Sequence, residues 1–200
     1  MSYEILIAFT IFAMATSMAP GPNNIMLMAS GVNYGFVKTI PHILGVVCGF
    51  GVICLCVGFG LGTLFQLYPQ LFIYLKVFAL IYLVYLSWRI AFSKVVPSSK
   101  TQKSRPMTFI EVCLFQWVNP KAWVMIITAM TLYTNVDEPV LSVLLISLIF
   151  AIINLPTHSI WAILGVVLRK FLSKERHVRI FNMATGALLI LSIIPVVFIG

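Results

Sequence analysis

The chain has 200 residues, 61% of them hydrophobic and 9% charged, and its mean hydropathy is +1.06. Soluble domains run at roughly 45–50% apolar and about 25% charged, so a water-soluble globule of this size is excluded, and so is a disordered chain. At about 20 residues per helical crossing the length allows roughly six to eight spans and leaves no sizeable domain outside the bilayer. Thirteen Lys+Arg against five Asp+Glu give a net charge of +8. The basic residues gather in short loops, so the excess sets membrane orientation and implies no nucleic-acid partner.

The first apolar run, Tyr3 to Ala19, meets Pro20-Gly21-Pro22-Asn23-Asn24 and resumes from Ile25 to about Gly31. Ala13-Met14-Ala15 resembles a cleavage site, but no Lys or Arg precedes the run, so an uncleaved span is expected. A second run covers about Pro41 to Leu64 and a third about Leu71 to Phe92. Beyond the polar segment Ser93 to Pro106 come a fourth (Thr108 to Leu132), a fifth (Val140 to Leu168) and a sixth (Ile180 to Ile199). The expectation is an all-α polytopic membrane protein with six transmembrane helices in a single membrane domain, 1–200. A first half of about 1–92 and a second of about 107–200 flank the loop 93–106.

Lys38, Arg89, Lys94, Lys100, Lys103, Arg105, Arg169, Lys170, Lys174, Arg176 and Arg179 lie in or beside loops of one parity. The opposite loops hold no basic residue, and Asp137 and Glu138 lie in one of them. Basic loops face the cytoplasm, which puts both termini on the periplasmic side. Span two carries Gly45-x-x-x-Gly49 and Gly58-x-Gly60-x-Gly62. Such spacing lets helix backbones approach closely, here in internal packing ahead of a homodimer face. Cys48, Cys54, Cys56 and Cys113 lie in apolar runs without a CxxC and read as small buried hydrophobes.

Two spans are broken. Proline removes a donor and frees carbonyls, which within a membrane must be buried in protein or face a wet cavity. Pro22 suits the first turn of a new half-helix, with Asn23 and Asn24 adding amides there. In span four, Asn119-Pro120-Lys121-Ala122 reads as an N-cap followed by a first helical proline. Lys121 then opposes the helix dipole, so an anionic group, permanent or visiting, is expected to compensate it; the alternative is a lasting bond to a carboxylate or backbone carbonyls. The breaks occupy matching positions of two three-span halves, which an odd span count would invert, and that pattern points to a transport site.

Ala19-Pro20-Gly21-Pro22-Asn23-Asn24 resembles the opening of the LysE/RhtB amino-acid exporter family. Tyr82 to Arg89 is similar to that family's aromatic, Leu-rich third-span ending, and Phe115 to Trp123 to its Asn-Pro-Lys-Ala element. The resemblance covers essentially the whole chain. It implies a bacterial inner-membrane exporter of amino acids, driven by proton antiport, with Pro20, Gly21, Pro22, Asn23, Asn119, Pro120, Lys121 and Ala122 as motif positions. Where many relatives carry a carboxylate after the span-two Gly-x-x-x-Gly, this chain has Phe50, which argues against a cationic substrate. Where many have a glycine before the aromatic run of span three, it has Phe78-Ala79.

Of the remaining polar residues, Lys76 reads as either snorkelling or facing a cavity. Glu111 is expected to pair with Arg105 or Lys103 ahead of carrying a proton. His158, after Asn154-Leu155-Pro156, reads either as a proton relay or as a hydrogen-bonded histidine steadying a kinked helix. The expected substrate site is Pro20, Gly21, Pro22, Asn23, Asn24, Asn119, Pro120, Lys121 and Ala122. Only Glu4 and Glu111 are acidic in or near spans, so small neutral amino acids such as cysteine, O-acetylserine, homoserine or threonine are the expected cargo. No cofactor or metal is implied. The alternative is a metal-ion or other small-molecule permease of similar architecture, although divalent cations want carboxylate or thiolate clusters and Cys54 and Cys56 point to different helix faces. An intramembrane enzyme lacks the paired carboxylates or Ser/His set.

Overall fold

The computed structural model describes residues 2–92, 105–135, 137–172 and 175–191, with the backbone alone at 64–66, 69, 71–72, 75–76 and 79. Lys94, Lys100, Lys103, Lys174, the side chain of Lys76 and the sixth apolar run beyond Leu191 lie outside the described residues. What is described is helical, with no strand: α1 (Tyr3–Met18), α2 (Pro22–Tyr34), α3 (Phe36–Cys56), a π turn (Val57–Leu61), α4 (Gly62–Leu67), α5 (Pro69–Ala91), α6 (Phe109–Val118), α7 (Pro120–Tyr133), α8 (Pro139–Phe171) and α9 (Glu175–Leu191).

The distribution of side chains is the reverse of a soluble protein's. Leu114, Val124 and Ile152 are more than 60% exposed, whereas Asn24, His42, Gln116, Asn154 and Asn182 are at most 2% exposed. Lipid-facing apolar surface around a partly polar interior is what a chain in hydrocarbon must adopt, because its polar groups find partners only within the protein. Phe36–Leu61 and Pro139–Phe171 are each long and apolar enough to cross a membrane, at 26 and 33 residues. The pair α1 and α2, bent by 51° at the Pro20-Gly21 break, makes a third candidate span. The fourth expected span is divided into α6 and α7 at Asn119. The fifth runs unbroken through Pro156.

Two glycine contacts set the frame. A Cβ on Gly31 of α2 would strike the carbonyl oxygen of Ala162 in α8, and one on Gly165 of α8 would strike that of Met28 in α2. The two backbones therefore touch, and the short α2 is fixed along the longest helix. Likewise, a Cβ on Gly45 would sit 2.7 Å from the Phe109 carbonyl oxygen and one on Gly49 2.7 Å from Cys113 Cα. The Gly45-x-x-x-Gly49 stripe thus packs inside the chain, α3 against α6, as expected.

Gly35, at φ 82°, joins α2 to α3 without an intervening loop. Span two reads as continuous, yet Gly60 takes φ 124° within the π turn, a conformation costly for any residue with a Cβ. Above the breaks Phe9, Phe50 and Phe150 form an edge-on cluster, with centroids 5.1 Å apart for Phe9–Phe150 and 4.9 Å for Phe50–Phe150. These rings tie α1, α3 and α8 together.

Gly31→Val is expected to destabilise the protein by about 3 kcal/mol, since backbone cannot yield as a side chain does. Gly51→Ala, where a Cβ meets nothing within 4 Å, should leave stability unchanged or slightly raised. Thermal unfolding of the detergent-purified variants, with monodispersity followed in parallel, measures both.

Candidate functional site

The first break is held together by its own asparagine. Ala19 caps α1, Gly21 is extended, and Pro22 starts α2. The turn leaves the carbonyls of Ser17 and Ala19 without helical donors. Asn24 Nδ2 donates to both, at 2.9 and 2.8 Å. That fixes which end of the amide faces the backbone and leaves Oδ1 buried without a partner. Gly21 supplies no side-chain cap, so the first-turn N–H groups of α2 stay unclaimed by it.

The second break uses the same grammar. Asn119 ends α6 and caps α7, and its Oδ1 accepts from Lys121 N at 3.2 Å. Its carbonyl accepts from Ala122 N at 3.0 Å. Lys121 in the first turn of α7 then reaches across to the first break, where its ammonium donates to the Ala19 carbonyl. Gly21 makes room for that reach: a Cβ there would lie 2.6 Å from Lys121 Cδ. The compensation for Lys121 is therefore a backbone carbonyl of the opposite break, the alternative considered for it, and no carboxylate among the described residues pairs with it.

A second bridge joins the breaks in the reverse sense. Asn23, just after the first, and Gln116, just before the second, exchange amide hydrogen bonds of 2.8 and 3.1 Å. Gln116 is wholly buried and also donates to the Val112 carbonyl.

Between the breaks lies a cavity of about 290 Å³, counting its mouth, lined by Gly21, Asn23, Asn24, Asn119, Lys121 and Ala122. Ser17, Phe50, Met125, Asn154 and His158 complete the wall. Ser17 donates to Asn154 Oδ1 at 2.6 Å. Asn24 Oδ1 and Asn154 Nδ2 find no hydrogen-bond partner among the described residues, while His158 lies against the Asn154 backbone of its own helix. Buried polar atoms are normally satisfied, so the two amide atoms leave hydrogen-bonding capacity open toward a water or a polar guest in this cavity.

The LysE type translocator model matches residues 14–194. The chain belongs to that family. Relatives include proteins named cysteine/O-acetylserine efflux protein in Escherichia coli O139:H28 (strain E24377A / ETEC), 28% identical over 192 residues. Proteins of the same name in Escherichia coli (strain K12) and Shigella sonnei (strain Ss046) are 27% identical. Each alignment covers 95% of this chain and 96% of the relative. No solved structure matches. Membership makes the chain a translocator rather than an enzyme.

Of the expected site, six residues line the cavity of this translocator; Pro20, Pro22 and Pro120 do not, and act by ending and starting helices. His158 lines it and is buried, in a helix that Pro156 does not break. Glu111 lies elsewhere, gripped by Arg105 at 2.8 and 2.9 Å as expected, and it closes a capping box with Thr108. Sequence reading assigned no role to Ser17, Gln116, Asn154 or His42. Ser17 and Asn154 are polar residues in apolar runs, which was the available signal.

Gly21→Ala should destabilise by about 1–2 kcal/mol by displacing the Lys121 stem. In a Lys121→Ala background the same change should cost less than about 0.5 kcal/mol. A double-mutant cycle read by thermal unfolding gives the coupling, expected at about 1 kcal/mol.

Proposed function

We propose that this translocator exports small neutral amino acids of the cysteine, O-acetylserine, homoserine or threonine type, holding them between its two broken helices. The observation that carries the reading is the polar cavity where the N-termini of α2 and α7 meet beside Lys121. Two half-helix N-termini and an ammonium make a site for a carboxylate. Asn24 Oδ1 is an unclaimed acceptor for the substrate's ammonium. No carboxylate lines the wall, and Phe50 stands in it; a cationic side chain would find no counter-ion there. The names of the relatives agree with this cargo.

The same reading takes the chain as six spans in two inverted halves, about 1–92 and 107–200, set in a bacterial inner membrane. The basic ends face the cytoplasm and both termini the periplasm. Support comes from the crossed bridges: the residue after each break reaches toward the residue before the other, Lys121 to Ala19 and Asn23 to Gln116. Proton antiport drives export, with His158 the imidazole placed in the cavity wall. A homodimer is not needed to line this cavity, whose residues all come from one chain.

Lys121→Met should remain folded, keeping the apolar stem, yet lose about 2–5 kcal/mol of substrate binding. Lys121→Arg should rescue poorly, because a planar fork does not fit where Gly21 cleared room for a slender stem. The test is net uptake of radiolabelled O-acetylserine into proteoliposomes, with and without a pH gradient, alongside thermal unfolding. Undiminished uptake in Lys121→Met would overturn the site, and uptake indifferent to the gradient would overturn the antiport.

A further inference from the structure

A second cavity, of about 470 Å³, opens toward the other end of α2 and is lined by Ser30, His42, Arg89 and Arg105 among others. It shares no lining residue with the first. Three of its groups have unmet chemistry. Arg105 already holds Glu111 by two hydrogen bonds, and Thr108 donates to that carboxylate from both its N–H and its hydroxyl. Arg89 therefore reaches the same carboxylate at only 4.0 Å. Two guanidinium groups against one carboxylate leave one positive charge in excess at the cavity.

Two other lining groups, Ser30 and His42, offer acceptors. The single hydroxyl hydrogen of Thr39 is committed to the Gly35 carbonyl at 2.8 Å. The 2.8 Å bond between Thr39 and Ser30 must then use the Ser30 hydrogen, which leaves Ser30 Oγ as an acceptor only. His42 is 2% exposed, and neither of its ring nitrogens has a partner among the described residues. A neutral imidazole offers one donor and one acceptor. A cation, an acceptor-only hydroxyl and an unpartnered imidazole lining one cavity are the complement of a zwitterion.

We propose that this cavity is a separate intake site for the zwitterionic amino acid. Arg89 takes the carboxylate; Ser30 Oγ and His42 take the ammonium. The inference rests on the exporter reading and deepens it. An exporter must collect its cargo at the cytoplasmic side, and this cavity lies at the end of the molecule that carries the basic residues. Helix α2 borders both cavities, with Asn23 and Asn24 at one and Ser30 at the other, so the proposed route from intake to the broken helices follows this helix.

The test is equilibrium binding of radiolabelled O-acetyl-L-serine, at mildly acidic pH, to the full chain in lipid nanodiscs. Wild type is expected to bind two molecules per chain and Lys121→Met one. Adding Arg89→Gln to Lys121→Met should weaken the remaining site about tenfold, and Arg89→Lys should restore most of it. Ser30→Ala, which leaves the Arg89–Glu111 pair alone, should weaken that site too. The methyl ester and the N-acetyl derivative, lacking the carboxylate charge and the ammonium, should fail to compete for it. A remaining site indifferent to both Arg89→Gln and Ser30→Ala, or one that takes the methyl ester equally well, overturns the proposal. If wild type transports O-acetylserine but binds one molecule, and Lys121→Met abolishes that binding, the exporter reading stands and the intake site falls. If wild type neither transports nor binds it, or any other small neutral amino acid, both fall.

Discussion

The carbonyl oxygen of Ala19 is the acceptor around which the molecule is organised. Pro20-Gly21-Pro22 strips the chain of donors within a span, and hydrocarbon offers no water to replace them. Asn24 returns one hydrogen bond from the same segment, and Lys121 brings another from a helix 102 residues away. Because the second donor is charged and belongs to α7, satisfying the first break also fastens α7 to it. Gly21 is the condition for this, since any side chain there would occupy the path of the lysine stem.

A bond between an ammonium and a neutral carbonyl is a poor final partner for a charge in a membrane. On the proposed function, an arriving carboxylate competes for Lys121 on better terms than Ala19 can offer. On the proposed reading, substrate binding and the link between the halves are thus alternatives for one ammonium. That is the minimum a translocator needs for occupancy to alter its conformation. The Asn23–Gln116 bridge keeps the breaks in register, because a reciprocal amide pair satisfies itself and does not require the lysine.

The breaks are tolerable because the surrounding frame is rigid. Helices α2 and α8 touch backbone to backbone at Gly31 and Gly165, and α3 and α6 do so at Gly45 and Gly49. The first contact fixes α2, which begins at one break, and the second fixes α6, which ends at the other. The aromatic cluster of Phe9, Phe50 and Phe150 closes the space beside them. Polar groups that would be unstable in lipid are then held at fixed separations around a common space.

The sequence by itself determined what is local. Proline lacks an N–H wherever it stands, so both breaks, the half-helix starts at Pro22 and Pro120 and the Asn119 cap could be read from single segments. Apolar length marked where helices run, and the pairing of Glu111 with Arg105, six residues apart, lay within short range. Only the tertiary structure decided who answers whom across the chain. Gln116 meets Asn23 over 93 residues and Asn154 meets Ser17 over 137. Gly21 is required by a lysine in another helix, Gly60 bends a span that reads as continuous, and His42 reaches a cavity that no segment announces. A missing hydrogen-bond donor is a property of one residue, whereas its replacement is a property of which helices the glycines allow to touch.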